Sequence, residues 1–393
     1  MTKYYISIII PVYNVEEYIS TAMNSLLRQT IGFNNLEIIF VDDFSSDNSG
    51  EIIDQYANQY TNVLALHLET NSGSAGIPRN EGLRLATADY IMFLDPDDYY
   101  SDDACQLLYE LIKKGNYDLV SGYYSIVDEA GKIKCDKTEH YGLFKEGAID
   151  MHSQYERALE LQNAFWCKIY KKNIILDNKI EFPPHIPGQD TVFLCKYLLC
   201  CNTIYYVDHK VAFYRLREKE NKSISNRCDI NFFKGIETCY SLVYKVMMEN
   251  NKAEFFKFVI AGALEYYILK ALDSESLKAQ DIDMFLRDWR WIFEYYEKKN
   301  IEIVSPYAKI LHKLVISKDS HYIIDIYNEL RKLRKEYLKI IEGRDYLADQ
   351  ENKKDKAIEE LKGWIKQLEE AKAYYIGQIA NLERALDQAV TKK

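Results

Sequence analysis

The sequence predicts a doubly wound α/β unit followed by a helical region, on three observations. Short apolar runs alternate with helical stretches through the first hundred residues. Each run stops at polar or glycine-rich residues, the pattern of strands whose carboxyl ends face a ligand crevice. Beyond about residue 226, strand signals fade and long Tyr- and Phe-rich helical stretches take over.

Ser7–Val12 is a β-branched run closed by Tyr13-Asn14, as expected of a strand covered on both faces, and a helix is expected from Glu16 to Arg28. A second strand, Leu36–Val41, ends in Asp42-Asp43-Phe44, with a helix over 48–60. The third, Val63–Leu68, leads into Asn71-Ser72-Gly73-Ser74-Ala75-Gly76 and a helix opened by Arg79-Asn80. The fourth, Tyr90–Leu94, delivers Asp95, Asp97 and Asp98, and Pro96 forbids it from continuing as a central ladder member. By a period of two, Asp95 and Asp97 point the same way, a two-toothed oxygen clamp for a divalent cation and its phosphates. Asp118–Tyr124 reads as another strand with a hairpin after it, and Gly188-Gln189-Asp190 as the start of a helix running to Cys201.

These strand ends offer what a nucleoside diphosphate uses. Tyr13 can stack on a base, backbone beside Pro11 can hydrogen-bond, and Asp42 or Asp43 can accept the imide N–H of uracil. Gly73 and Gly76 let the chain approach phosphates, and Arg79 adds a guanidinium reinforced by the helix dipole. Taken singly, each has a plainer reading: Asx turns for the aspartates, loop glycines, a core aromatic for Tyr13.

Taken together, Ile10-Pro11-Val12-Tyr13-Asn14, Val41-Asp42-Asp43, Pro78-Arg79-Asn80-x-Gly82 and Leu94-Asp95-Pro96-Asp97-Asp98 resemble the ordered motifs of the inverting family-two nucleotide-sugar glycosyltransferases with the GT-A fold. The resemblance covers roughly the first 220 residues in order and spacing. It implies a nucleotide-sugar donor, usually a UDP sugar, and a Mn²⁺ or Mg²⁺ ion. Trp166-Cys167-Lys168-Ile169-Tyr170 is similar to a family segment near acceptor and sugar, so Lys168 joins the binding residues. Gln189-Asp190-x-x-Phe193 looks like the element whose Asp is the catalytic base, with Gln189 in place of the usual Glu; losing that carboxylate should lower the pKa of Asp190. Val207-Asp208-His209 and Tyr214-Arg215-Leu216-Arg217 resemble the strand and basic loop that close the family's catalytic domain, which implies that Asp208 or His209 completes the metal shell with Asp97 and Asp95 and that Arg215 or Arg217 neutralises the departing diphosphate. Phe44 departs from the family's Gly, and Pro78 stands where a small residue is commoner, as in the teichoic-acid branch.

The organisation expected is therefore a GT-A (Rossmann-like, mostly parallel) catalytic domain over residues 1–225, a helical domain over 226–320 and a coiled-coil helix over 321–393. In that last segment Ile323, Ile326, Leu330, Leu333, Tyr337 and Ile340, then Leu347 and Ile358 through Ala389, follow 3,4 spacing, interrupted where Arg344, Glu351, Lys354 and Lys372 fall in core positions; this predicts a dimer or trimer, with an intramolecular hairpin or an amphipathic helix folded back on the body as the alternatives. With 393 residues and a net charge of −10, the chain is globular and unsuited to nucleic acid. Eight cysteines without CxxC pairing, no cleavable leader and no apolar span predict a reduced, cytoplasmic protein, free or peripheral at the inner face of a membrane. The activity expected is metal-dependent transfer of a sugar to a glycan, lipid-linked or protein acceptor. Rival readings are a nucleotidyltransferase, which would carry an early Gly-rich loop with Lys that residues 10–20 lack, and a non-catalytic sugar-nucleotide-binding scaffold.

Overall fold

The structure, a computed structural model, describes residues 3–136, 145–161, 164–217, 228–317, 323–350, 372 and 374–387. The chain divides into two units: Met1–Arg227 with Thr238–Val259, and Cys228–Glu237 with Ile260–Lys393. The first therefore takes residues 238–259 that the sequence reading gave to the helical domain, and the second includes the segment read as a separate coiled coil.

In the first unit, ten strands form one mixed sheet in the order β3-β2-β1-β4-β9-β6-β10-β5, with β7 on β6 and β8 on β10. The strands are β1 Ile6–Val12, β2 Leu36–Asp42, β3 Val63–His67, β4 Tyr90–Phe93, β5 Tyr99–Tyr100, β6 Leu119–Val127, β7 Ile133–Cys135, β8 Gly147–Asp150, β9 Lys168–Lys171 and β10 Thr203–Arg215. β1 pairs parallel with β2 and β4, β2 with β3, and β6 with β10. β9 runs antiparallel between β4 and β6. Consequently β1, β2, β3, β4, β6 and β10 all point the same way, and their carboxyl ends share one edge.

All seven residues of β1 are buried, which explains its unbroken apolar run: helices cover both faces of a central parallel strand. Helix α3, Gly76–Leu85, lies close on β1, and a Cβ at Gly82 would come 2.4 Å from Ile9 Cγ2. That approach fixes where Arg79 and Asn80 are presented. Helices α1 (Ile19–Leu27) and α2 (Ser49–Gln59) agree with the sequence reading to within three residues at each end.

The second unit is helical. Two of the Tyr- and Phe-rich stretches form broken helices: Phe256–Ile260 and Ala263–Asp273 part at Gly262, whose φ of 76° suits glycine, and Ala279–Asp288 and Arg290–Lys299 part at Trp289. Trp289 is fully buried with its indole N–H donating to Phe233 O at 3.1 Å, so packing there overrides helix continuity. The helix Ile323–Gln350 buries Tyr327, Leu330 and Leu333, and Tyr327 Oη donates to Ala271 O at 2.6 Å. Further along the seam, Ile379 and Leu386 are also buried, while Ile358, Leu361, Ile365 and Leu368 lie outside the described residues. Of the described seam positions, Leu330, Leu333, Ile379 and Leu386 are buried, while Ile326, Tyr337, Ile340, Tyr375 and Leu382 are half-buried. No described helix is long and apolar enough to cross a membrane.

Candidate active site

At the end of β4 the chain turns, with Asp98 N donating to Asp95 O at 3.0 Å, and β5 returns antiparallel to β10. The turn breaks the two-residue period expected of Asp95 and Asp97, and the three carboxylates take separate partners. Asp95 Oδ1 accepts from Arg79 Nη2 at 2.6 Å. Asp97 Oδ2 accepts from Arg217 Nε at 2.7 Å, with side chains only 15% and 14% exposed. Asp98 is buried; one oxygen accepts from the Arg215 amide at 2.9 Å and the other has no partner. Burial, with Asp97 and Asp95 adding repulsion, holds the Asp98 carboxyl well above the usual range. Burial also raises Asp97, against the pull of Arg217.

Arg79 is the hub. Its guanidinium is buried, 4.4 Å from the Phe165 ring centre and 5.4 Å from that of Phe182. It faces Asp95 directly and acts electrostatically on Asp190. Asp190 sits in the first turn of the helix Gln189–Leu199, after Gly188 in the left-handed region at φ 72°. Its carboxyl is nonetheless raised, by burial first and by Asp95 last, with Arg79 and the helix-start amides opposing. Gln189 in place of Glu spares Asp190 one repulsion, but burial sets the net direction upward. Gln189 is itself buried, and a Cβ at Gly76 would fall 2.0 Å from its Oε1, so Gly76 is required there for space.

The β10 end completes this side. Arg215 Nε donates to Asp97 O at 3.1 Å, and the guanidinium carbons of Arg215 and Arg217 lie 5.8 and 4.7 Å from the Tyr18 ring centre. Asp208 and His209 do not join them. His209 pairs with Asp103 at 2.9 Å, and Asp208 sits near Tyr206 Oη. Five residues of β10 lie between His209 and Arg215, six steps or on the order of 20 Å at strand rise, less what the irregularity between Lys210 and Ala212 takes up. Lys168 is also misplaced by the sequence reading. It is fully buried, donates to Ala164 O at 2.6 Å, and burial lowers its pKa.

The β1 and β2 ends form the other side. Asp43 accepts from Ser72 N at 2.8 Å and Ser72 Oγ at 2.9 Å, which pins the 71–74 loop, where Gly73 has φ 76°. Asp42 accepts from Ser45 N and contacts His67 Nδ1, both at 3.1 Å. Both aspartates therefore have internal partners. Pro11 and Val12 lie buried within β1, and Val12 O already accepts from Asp43 N at 2.8 Å, so the backbone expected to be exposed there is partly spent in the ladder. Asn14 accepts from Ser46 N at 2.8 Å. Tyr13 is 45% exposed and Phe44 58% exposed, the latter at φ 64°, a conformation costing roughly 1–2 kcal/mol for a residue with a Cβ.

Some residues that shape the site were not singled out from sequence. Asn80 exchanges hydrogen bonds with both backbone groups of Phe182 (2.8 and 2.9 Å), and His185 contacts Ser72 O at 2.7 Å. Together they fasten the segment preceding Asp190 to α3 and to the 71–74 loop. The Arg-Asn dipeptide was the available signal, but only its Arg was read for chemistry.

Among the described residues, no group of three His, Cys, Asp or Glu could hold a metal ion. Asp95 and Asp97 are each held by an arginine, Arg79 at 2.6 Å and Arg217 at 2.7 Å, so a cation taken by either carboxylate would share it with a guanidinium.

Residues 7–169 match the model of Glycosyl transferase family 2. The chain is 33% identical over 243 residues to a poly(ribitol-phosphate) β-glucosyltransferase of Bacillus spizizenii, spanning 61% of this chain and 36% of that protein. It is 26% identical over 328 residues to the poly(ribitol-phosphate) β-N-acetylglucosaminyltransferase TarP of Staphylococcus aureus, spanning 82% of this chain and 93% of TarP. A crystal structure of S. aureus TarS 1-349 in complex with UDP superposes with a TM-score of 0.64 at 21% identity, covering 84% of this chain and 91% of that one. A second, in complex with UDP-GlcNAc, gives 0.59 at the same identity and covers 84% and 92%. At this identity the likeness establishes a shared GT-A-like fold.

Proposed function

Because the chain carries a Glycosyl transferase family 2 domain over residues 7–169, we propose that it transfers a hexose or N-acetylhexosamine from a UDP sugar to a hydroxyl of a polyol-phosphate, teichoic-acid-type polymer, with inversion. The observation that carries this reading is the convergence of Asp95, Arg79 and Asp190 at the carboxyl edge, beside Asp97 and Arg217.

Asp190 takes the proton from the acceptor hydroxyl as that oxygen attacks the anomeric carbon from the face opposite the diphosphate. Arg79 holds Asp95 and offsets part of the burial penalty that would keep Asp190 protonated. Arg215 and Arg217 stand where charge grows on the departing diphosphate. Mn²⁺ or Mg²⁺ held by Asp95 and Asp97 would supply further charge neutralisation on the two phosphates. Support for a UDP donor comes from TarS, crystallised with UDP and UDP-GlcNAc, and for the acceptor from the relatives named for poly(ribitol-phosphate). Those relatives are named β-transferases, and an α-linked UDP hexose gives a β product only by net inversion. A UDP-sugar donor supports a cytoplasmic location, where such donors are made. Support for a dimer or trimer through residues 321–393 is the 3,4 spacing together with the half-buried Ile326, Tyr337, Ile340, Tyr375 and Leu382.

The test supplies a ribitol-phosphate polymer with UDP-glucose, UDP-N-acetylglucosamine and UDP-galactose in turn, and reads the product's anomeric proton coupling. A β-linked product from one donor is expected; an α product or no transfer from any donor overturns the reading.

A further inference from the structure

Two large aromatic side chains stand out on the carboxyl edge, away from the carboxylates. Tyr13 follows β1 and Phe44 follows β2 by two residues; Val12 pairs with Asp42, so the two rings leave neighbouring strand ends. Neither ring is packed into the core. The backbone holding Phe44 is fixed on both sides. Ser45 N donates to Asp42 Oδ1 at 3.1 Å, Ser46 N donates to Asn14 Oδ1 at 2.8 Å, and Asn14 N donates to Ser45 Oγ at 3.1 Å. This mesh imposes the left-handed conformation on Phe44, where glycine would sit without strain, and holds an apolar ring toward solvent. A strained, outward aromatic gives nothing to the fold. A planar partner would give it a role.

The position says which partner. In the order β2-β1-β4, the Phe44 strand lies two places from the strand bearing Asp95, about 10 Å at normal strand spacing. That separation matches the span from the diphosphate to the nucleoside of a donor whose diphosphate lies at Asp95 and Asp97. We infer that Phe44 is a nucleobase-binding residue, stacking on the pyrimidine of the donor alongside Tyr13 and making this chain depend on an aromatic where its family commonly has glycine. The inference rests on the nucleoside-diphosphate-sugar reading above.

Calorimetry of the full chain with Mn²⁺ present, using UDP and inorganic pyrophosphate as probes, tests it. Stacking on one aromatic is worth about tenfold in affinity. Phe44→Gly should weaken UDP binding by about that factor, leave pyrophosphate binding unchanged, and leave the melting temperature no lower than wild type, since glycine suits the conformation. Phe44→Tyr should restore UDP affinity. UDP binding that survives Phe44→Gly overturns the assignment, as does an equal loss for UDP and pyrophosphate, which would mark a purely structural role. Failure of the wild type to bind UDP at all overturns the donor reading, and this assignment with it.

Discussion

The carboxyl edge of the sheet and the interior of the helical unit bury residues for opposite reasons. At the edge, Arg79, Asp98, Asp42, Asp43 and Lys168 are all less than a tenth exposed, charged groups removed from water at considerable cost. In the helical unit the large buried side chains are Trp289, Tyr296, Tyr327, Ile292 and Leu330, whose polar atoms, where present, go to backbone carbonyls. Apolar burial stabilises a fold without further purpose. Clustered buried charge with orphan atoms, such as Asp98 Oδ2 and Arg79 Nε, is retained where a ligand or a reaction uses it.

If that contrast holds, the same experiment should move different quantities in the two regions. The largest effect is expected at Asp190. Asp190→Asn should cut kcat by about 10³-fold, within the range for removing a general base, with UDP affinity preserved. Its stability should not fall at neutral pH. The folded state raises the Asp190 pKa, so its contribution is full below the unfolded value and is lost as pH rises through the folded one. Asn removes that loss. Trp289→Ala should do the reverse, lowering stability by about 3–5 kcal/mol in chemical denaturation while leaving kcat within twofold at a temperature where the protein stays folded.

A smaller effect separates the groups around Arg79. Since the base must be ionised, kcat/KM should fall as pH drops through the raised pKa of Asp190, above the ordinary value of about 3.9. Arg79→Met removes the charge that opposes the rise, and should move this acid limb to higher pH. A limb that stays in place would detach Arg79 from Asp190. The smallest effect is expected at Lys168. Lys168→Met should change donor affinity less than threefold, because the amine faces Ala164 O inside the fold; a loss of tenfold or more would restore the binding role read from sequence.

What the sequence made legible follows the same division. Asp95, Asp97, Arg79 and Asp190 could be read as neighbours at one edge because residue type at fixed spacing from strand ends places them there, and the structure brings them together. Asn80 and His185 were not, since they act through backbone groups 102 and 113 residues away in the chain, which no local pattern reports. Lys168, Asp208 and His209 were misread because chemical suitability was taken for position: burial claims the first, and β10 carries the others away from Asp97. The helix breaks at Gly262 and Trp289 show tertiary packing prevailing over a continuous apolar pattern.

The most direct measurement of the central claim, that the carboxyl edge binds and activates a UDP sugar, is acceptor-free release of UDP across a panel of UDP and GDP sugars, with Mn²⁺ and then with chelator. Release of UDP from one sugar, lost on chelation and in Asp97→Asn, is the expected result. No release from any donor, together with no nucleotide binding by calorimetry, would contradict it and leave a scaffold whose function lies in its helical unit.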